Sequence, residues 1–242
     1  MLKTSSHPSE QPRRNEITTV FHVKICGITS GRDAEMAAAA GADAVGLNFY
    51  RPSPRCIDIP TAEQIVAALP ADTVKVGLFV NADSEEVRGT FDRVGLDLVQ
   101  LHGDEPPEFL LELGDRPVMR AFRCGDDGLG PAADYLDRCR RLGCEPRSVL
   151  IDAYHPEQYG GTGTEADWPA VARWCDTLGA AHLTLAGGLN ADNAARAIAA
   201  AEPSAVDTAS SVESAPGKKD ASLVRAFVAA SKAAFERLKY LK

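Results

Sequence analysis

The sequence predicts a single closed (β/α)8 barrel, on three observations. From Phe21 onward, short runs of β-forming residues alternate with longer helical stretches, the order expected of βα units on a parallel sheet. The unit recurs every roughly 20 to 35 residues. Eight strand candidates follow one another without a long linker, which favours a closed ring over an open doubly wound sheet. Composition by itself, with 242 residues that are 45% hydrophobic and 25% charged, would equally suit two small domains; the alternation decides between them.

The strands are predicted at 21–26, 44–49, 74–80, 98–102, 118–122, 148–152, 182–186 and 205–208. Between them the helices open at good N-cap residues: Ser30 or Asp33, Thr61, Ser84, Asp104, Asp167 and Asn190. A last helix over 221–238 would close the ring. The segment 1–18 mixes Ser, Pro, Glu and Arg without apolar periodicity and reads as a disordered tail, leaving 19–242 for the barrel.

The formal charge of −8 is spread along the chain. No basic block or aromatic-basic interleaving suggests a nucleic-acid groove. No apolar run approaches the ~20 residues that span a bilayer, and 1–15 is polar with no apolar signal core, so the expectation is a cytoplasmic protein without a membrane partner. Six cysteines are too sparse for a disulfide scaffold and read as free thiols. Cys139 and Cys144 look as if they share a helix, but no CxxC or HExxH spacing accompanies them, so no metal site is expected.

If the ring closes, the site lies at the C-terminal ends of the strands, where the βα loops gather. Each chemically suggestive residue sits at such an end. Cys26 ends the first strand beside a glycine turn, and is either a base or nucleophile or an inert thiol packing the mouth. Arg51 and Arg55 sit in a proline-stiffened loop after the second strand, where a guanidinium either grips a carboxylate or phosphate or supplies surface charge. Asp152 ends the sixth strand; burial there would keep it protonated and able to donate, although capping the next loop is an equal alternative. The following loop, 154–166, carries Gly160-Gly161-Thr162-Gly163 and is long enough to cover a ligand, but it does not match a dinucleotide fingerprint.

Gly187 and Gly188 follow the seventh strand, and Asp207, Ala209 and Ser210 belong to the end of the eighth and the turn after it. Paired loops in these places commonly hold phosphate in barrels, with free N–H groups facing the anion. Gln100 and His102 share one face of the fourth strand, and a structural role is the better reading for His102. Lys218 and Lys219 read as a solvated pair at a helix entry.

With these positions assembled, the chain resembles the phosphoribosylanthranilate isomerase family from Lys24 to about Phe227. The resemblance rests on KICGIT (24–29), GADAVGLNFY (41–50), SPR (53–55), VGLFVN (76–81), VQLHGDE (99–105), IDAYHPEQYGGTG (151–163), LAGGLN (185–190) and AVDTASSVESAPGKKD (205–220). It implies a barrel of the ribulose-phosphate-binding type and a small phosphorylated substrate. The reaction it implies is an Amadori rearrangement in tryptophan biosynthesis that uses no cofactor or metal. By the same resemblance the catalytic pair is Cys26 and Asp152, and Arg55 binds the aromatic carboxylate. Backbone groups around Gly187, Gly188, Ala209 and Ser210 would hold phosphate, with Asp207 near the ribose. Many relatives have serine at the place of Ala209 and glycine at that of Ser211, which puts the course of the last phosphate loop in question. The related histidine-pathway isomerases use two aspartates where this chain has Cys26 and Asp152, and a non-catalytic phosphate-binding barrel would not need both groups. Relatives occur as monomers and as dimers; the expectation for this chain is a monomer, with a homodimer as the alternative.

Overall fold

The computed structural model describes residues 21–123, 129–152, 168 and 182–240. Its strands are β1 (Val23–Cys26), β2 (Ala44–Asn48), β3 (Val74–Phe79), β4 (Leu98–Leu101), β5 (Val118–Arg123), β6 (Ser148–Asp152), β7 (Leu183–Ala186) and β8 (Ala205–Thr208). They close into a barrel in sequence order, and β8 pairs in parallel with β1. This is the predicted (β/α)8 barrel. The connections carry α1 (Gly31–Ala39), α2 (Ile59–Ala68), α3 (Ser84–Val94), α4 (Pro107–Glu112), α5 (Gly130–Leu142) and α6 (Ala194–Ala201), and α7 (Ala221–Lys239) follows β8. The tail 1–18, the glycine loop 154–166 and the expected cap Asp167 lie outside the described residues.

Strand positions agree with expectation to within two residues at each end, but several caps shift. Ser30 caps α1, its hydroxyl accepting from Asp33 N at 3.1 Å. Asp58, not Thr61, caps α2, and Thr61 supplies the N–H that it receives. Asp83, not Ser84, does the same for α3 through Glu86 N. α4 starts after Pro106 rather than at Asp104, and α6 after Asn193 rather than Asn190. Asn190 forms the turn before α6, its Oδ1 accepting from Asp192 N and Asn193 N. Where polar residues cluster, several can reach an unpaired N–H, and only the backbone path selects one. Cys144 is a further correction: α5 stops at Leu142, Gly143 turns left-handed, and Cys144 lies beyond the helix that holds Cys139.

Alternation along each strand sorts the side chains into two cores. Val23, Ile25, Val45, Leu47, Val99, Val149, Ile151, Leu185 and Val206 face outward and pack in the larger cluster with helix residues such as Ile65, Ile198 and Phe227. Ala44, Val76, Leu98, Met119, Leu150 and Ala205 fill the lumen. The same period places Lys24, Cys26, Gln100, Asp152 and Asp207 on the lumen face, above that apolar floor. The fold therefore collects polar groups from β1, β4, β6 and β8 at one mouth.

Candidate active site

Cys26 and Asp152 end β1 and β6, with β7 and β8 between them on the short way round the ring. No hydrogen bond joins the two, so they face the mouth as separate groups. Gly46 is opposite Cys26 in the register of β1 and β2. A Cβ added to Gly46 would lie 2.6 Å from Cys26 Sγ, so only glycine leaves the thiol its seat. One layer below, Lys24 is opposite Asp207 across the β1–β8 seam, and their side chains form a buried ion pair at 3.0 Å.

The surroundings push the two candidate reacting groups in a definite direction. Burial raises the Cys26 thiol above its ordinary value; the Lys24 ammonium opposes this, Asp207 adds to it, and Lys219 again opposes it. Burial also raises Asp152, to about 6; nearby Asp207 adds to this and Arg123 works against it. His102 is pushed down to about 4 by burial and by the charges of Arg123, Lys24 and Arg120, so it is neutral at physiological pH. Its Nδ1 lies 3.3 Å from the Gln100 side-chain amide, and its Nε2 faces Asp152 Oδ2 at 3.7 Å. A neutral histidine thus stands beside a carboxyl poised to hold a proton, while the thiol has cations on its side of the mouth.

At one rim, Gly187 and Gly188 take φ of 93° and 64°, a left-handed course suited to glycine. The loops after β7 and β8 are joined by Thr208 Oγ1 donating to Leu189 O at 2.6 Å. Beyond Ala209, Ser210–Val212 forms a 3-10 turn. Among the described residues the N–H groups of Gly188 and Ser210 donate to no protein acceptor. Unused amides at a pair of tied loops are the kind of group that can receive an anion. A crystal grown with sulfate or phosphate should show the anion against Gly188 N and Ser210 N; a well-ordered anion found only elsewhere would contradict this.

At the other rim stands Arg55, its stem lying across Gly27. Arg51, the alternative guanidinium, lines a groove of about 940 Å³ together with Thr29, Phe49, Pro54, Cys56 and Gly217. One mouth therefore combines an acid candidate, a thiol, two unused amides and a guanidinium.

Comparison with known proteins gives this arrangement a family. Residues 23–230 match the family model described as N-(5'phosphoribosyl)anthranilate (PRA) isomerase. The chain belongs to the phosphoribosylanthranilate isomerase family. The N-(5'-phosphoribosyl)anthranilate isomerase of Trichlorobacter lovleyi is 48% identical over 216 residues, 89% of this chain and all of that one. The crystal structure of phosphoribosyl anthranilate isomerase from Thermotoga maritima superposes with a TM-score of 0.79 at 37% identity, covering 88% of this chain and 99% of that one. Another isomerase structure, in complex with reduced 1-(o-carboxyphenylamino)-1-deoxyribulose 5-phosphate, matches with a TM-score of 0.75 at 34% identity over 88% and 99% of the two chains.

Several residues of this phosphoribosylanthranilate isomerase family member were misread or missed in the sequence. Lys219 is not solvated: its side chain is fully buried and its ammonium donates to Ala209 O at 2.9 Å and to Glu213 at 2.8 Å. Only Lys218 is exposed. Lys24 was visible only as part of a motif, although a charge at a lumen position of a buried strand is itself a signal. Glu105, the last residue of the 99–105 motif, accepts from Asn81 N at 2.7 Å and Gly103 N at 3.0 Å and pairs with Arg120 at 3.3 Å. It fastens the loops after β3 and β4 beside His102. Among the described residues no group of three His, Cys, Asp or Glu side chains is placed to hold a metal ion, and no helix is long and apolar enough to cross a membrane.

Proposed function

We infer that this chain converts N-(5'-phosphoribosyl)anthranilate to 1-(2-carboxyphenylamino)-1-deoxy-D-ribulose 5-phosphate by Amadori rearrangement, a step of tryptophan biosynthesis, as a cytoplasmic monomer. Membership of the isomerase family supports the reaction class. The observation that carries the assignment is the pairing of a carboxyl raised to about 6 with a thiol on the other side of the same mouth. The rearrangement needs one group of each kind and no change in oxidation state overall.

Asp152 donates its proton to the furanose ring oxygen; the bond from C1 to that oxygen breaks and the nitrogen lone pair completes an iminium. The positive iminium acidifies the C2 proton, which Cys26 as thiolate removes to give the enolamine. C1 then gains a proton as the C2 hydroxyl loses one, giving the ketone. A proton passing from the thiol to the Asp152 carboxylate resets the pair. Between pH 6 and the raised thiol value, the free protein holds mainly a carboxylate and a thiol, the reverse of the working distribution. Lys24 and the developing iminium both favour moving the charge onto sulfur.

Phosphate is assigned to the amides around Gly187, Gly188, Ala209 and Ser210, and the aromatic carboxylate to Arg55. Asp207 is assigned to the ribose side, oriented by Lys24. The test is a direct assay: purified chain should extinguish the fluorescence of the anthranilate glycoside and leave the histidine-pathway aminoaldose substrate unchanged. Lack of turnover by well-folded protein would rule out the catalytic reading, and preference for the second substrate would reassign it.

A further inference from the structure

The connection between β8 and α7 contains a two-stranded hairpin, β9 (Glu213–Ala215) and β10 (Lys218–Lys219), outside the barrel sheet. Its register sets Lys219 opposite Glu213, and the two side chains form a buried ion pair at 2.8 Å. Glu213 also receives Arg55 through both oxygens, Nε at 2.8 Å and Nη2 at 2.7 Å. Lys219 donates as well to Ala209 O at 2.9 Å. The hairpin is fastened from outside: Thr29 Oγ1 donates to Gly217 O at 2.5 Å, and Lys219 N donates to Asp33 Oδ2 at 3.2 Å.

We propose that Glu213 and Lys219 are positioning residues which hold the Arg55 guanidinium toward the substrate's aromatic carboxylate and tie that grip to the phosphate loop. The proposal rests on the assignment of Arg55 to the carboxylate. Two contacts fix the plane of the guanidinium, and Nη1 keeps its donors for a ligand, since it meets no acceptor among the described residues. Charge explains why a lysine is needed as well. Glu213 alone would neutralise Arg55, but with Lys219 the cluster holds two cations and one anion, leaving one positive charge for an incoming carboxylate. Burial works against the Glu213 charge, yet the hydrogen bonds from Arg55 and Lys219 outweigh it and hold the carboxyl below its usual range. At the other end, a peptide's C=O and N–H point in opposite directions. Lys219 holding Ala209 O therefore turns the N–H of Ser210 away from the hairpin, as an amide serving a phosphate requires.

The experiment measures dissociation constants of reduced 1-(o-carboxyphenylamino)-1-deoxyribulose 5-phosphate and of the same compound without its aromatic carboxylate, by calorimetry. The readout is their ratio, which general loosening of the fold would leave unchanged. Glu213→Gln should cut the wild-type preference for the carboxylate by about tenfold, the scale of a charge-assisted bond, while leaving the carboxylate-free compound unaffected. Lys219→Met should cut the same ratio and also weaken the carboxylate-free compound, because Ala209 O loses its donor. Glu213→Asp keeps the charge on a shorter arm and should give an intermediate ratio; this variant decides the matter if Glu213→Gln does not fold. Arg55→Lys, which replaces the fork with a point charge, should lose the preference too. If Arg55→Lys loses it while the Glu213 variants keep the wild-type ratio, the proposal is wrong. If Arg55→Lys also keeps it, the assignment of Arg55 fails instead.

Discussion

Replacing Cys26 with alanine is expected to slow turnover of the anthranilate glycoside by roughly two or more orders of magnitude, the usual scale for loss of a general base. Binding of the reduced product analogue should change little, because neither the phosphate amides nor Arg55 depends on the thiol for a hydrogen bond. The buried site also predicts how the thiol reacts. With its pKa raised by burial, Cys26 should be alkylated slowly by iodoacetamide at neutral pH and faster as pH climbs. Alanine removes little volume from a seat already narrowed by the backbone at Gly46, so the fold should survive. Near-normal turnover of Cys26→Ala would end the assignment of the thiol as base.

Asp152→Asn should produce a comparable loss of turnover together with a gain in stability. An aspartate at about 6 in the folded protein, against an ordinary value of 3.8, is destabilising once ionised. Well below pH 4 the carboxyl is protonated in both folded and unfolded chains and the displacement has no effect. As pH rises through 6, the folded state loses at most about 3 kcal/mol relative to an unshifted group. The side chain is 25% exposed, so solvent screening reduces that figure. Asparagine cannot ionise and escapes the loss. Urea melts should therefore find Asp152→Asn more stable than the parent by about 1–3 kcal/mol at pH 7.5, with the advantage disappearing near pH 4. A variant that kept full turnover, or that was destabilised at pH 7.5, would show that Asp152 is a structural carboxylate. The trade of stability for an ionisable group is the pattern expected where burial tunes a catalytic acid.

Both expectations depend on features legible in the sequence to different degrees. The alternation of β-rich and helical runs, together with the absence of long linkers, determined the barrel, because a parallel strand must be followed by a crossover and eight such units can close. The address of the site followed from the same logic: Cys26, Asp152 and Asp207 stand at or near strand ends, and Gly188 and Ser210 in the turns just beyond. Period-two alternation also places Lys24 in the lumen with Cys26. What the sequence by itself could not determine is which charges meet. Lys24 and Asp207 are 183 residues apart and touch because β8 pairs with β1 when the ring closes. Arg55 and Glu213 are 158 apart and touch because a hairpin leaves the barrel and folds back over the mouth. Lys219 looked like solvated charge because its neighbours in sequence are polar; it is buried because its neighbours in space are Glu213 and the Ala209 carbonyl. Periodicity and turn chemistry act over a few residues and can be read along a chain. Desolvation and ion pairing depend on distances through space, so the raised Asp152 carboxyl, the neutral His102 and the hold on Arg55 were decided only by the closed tertiary structure.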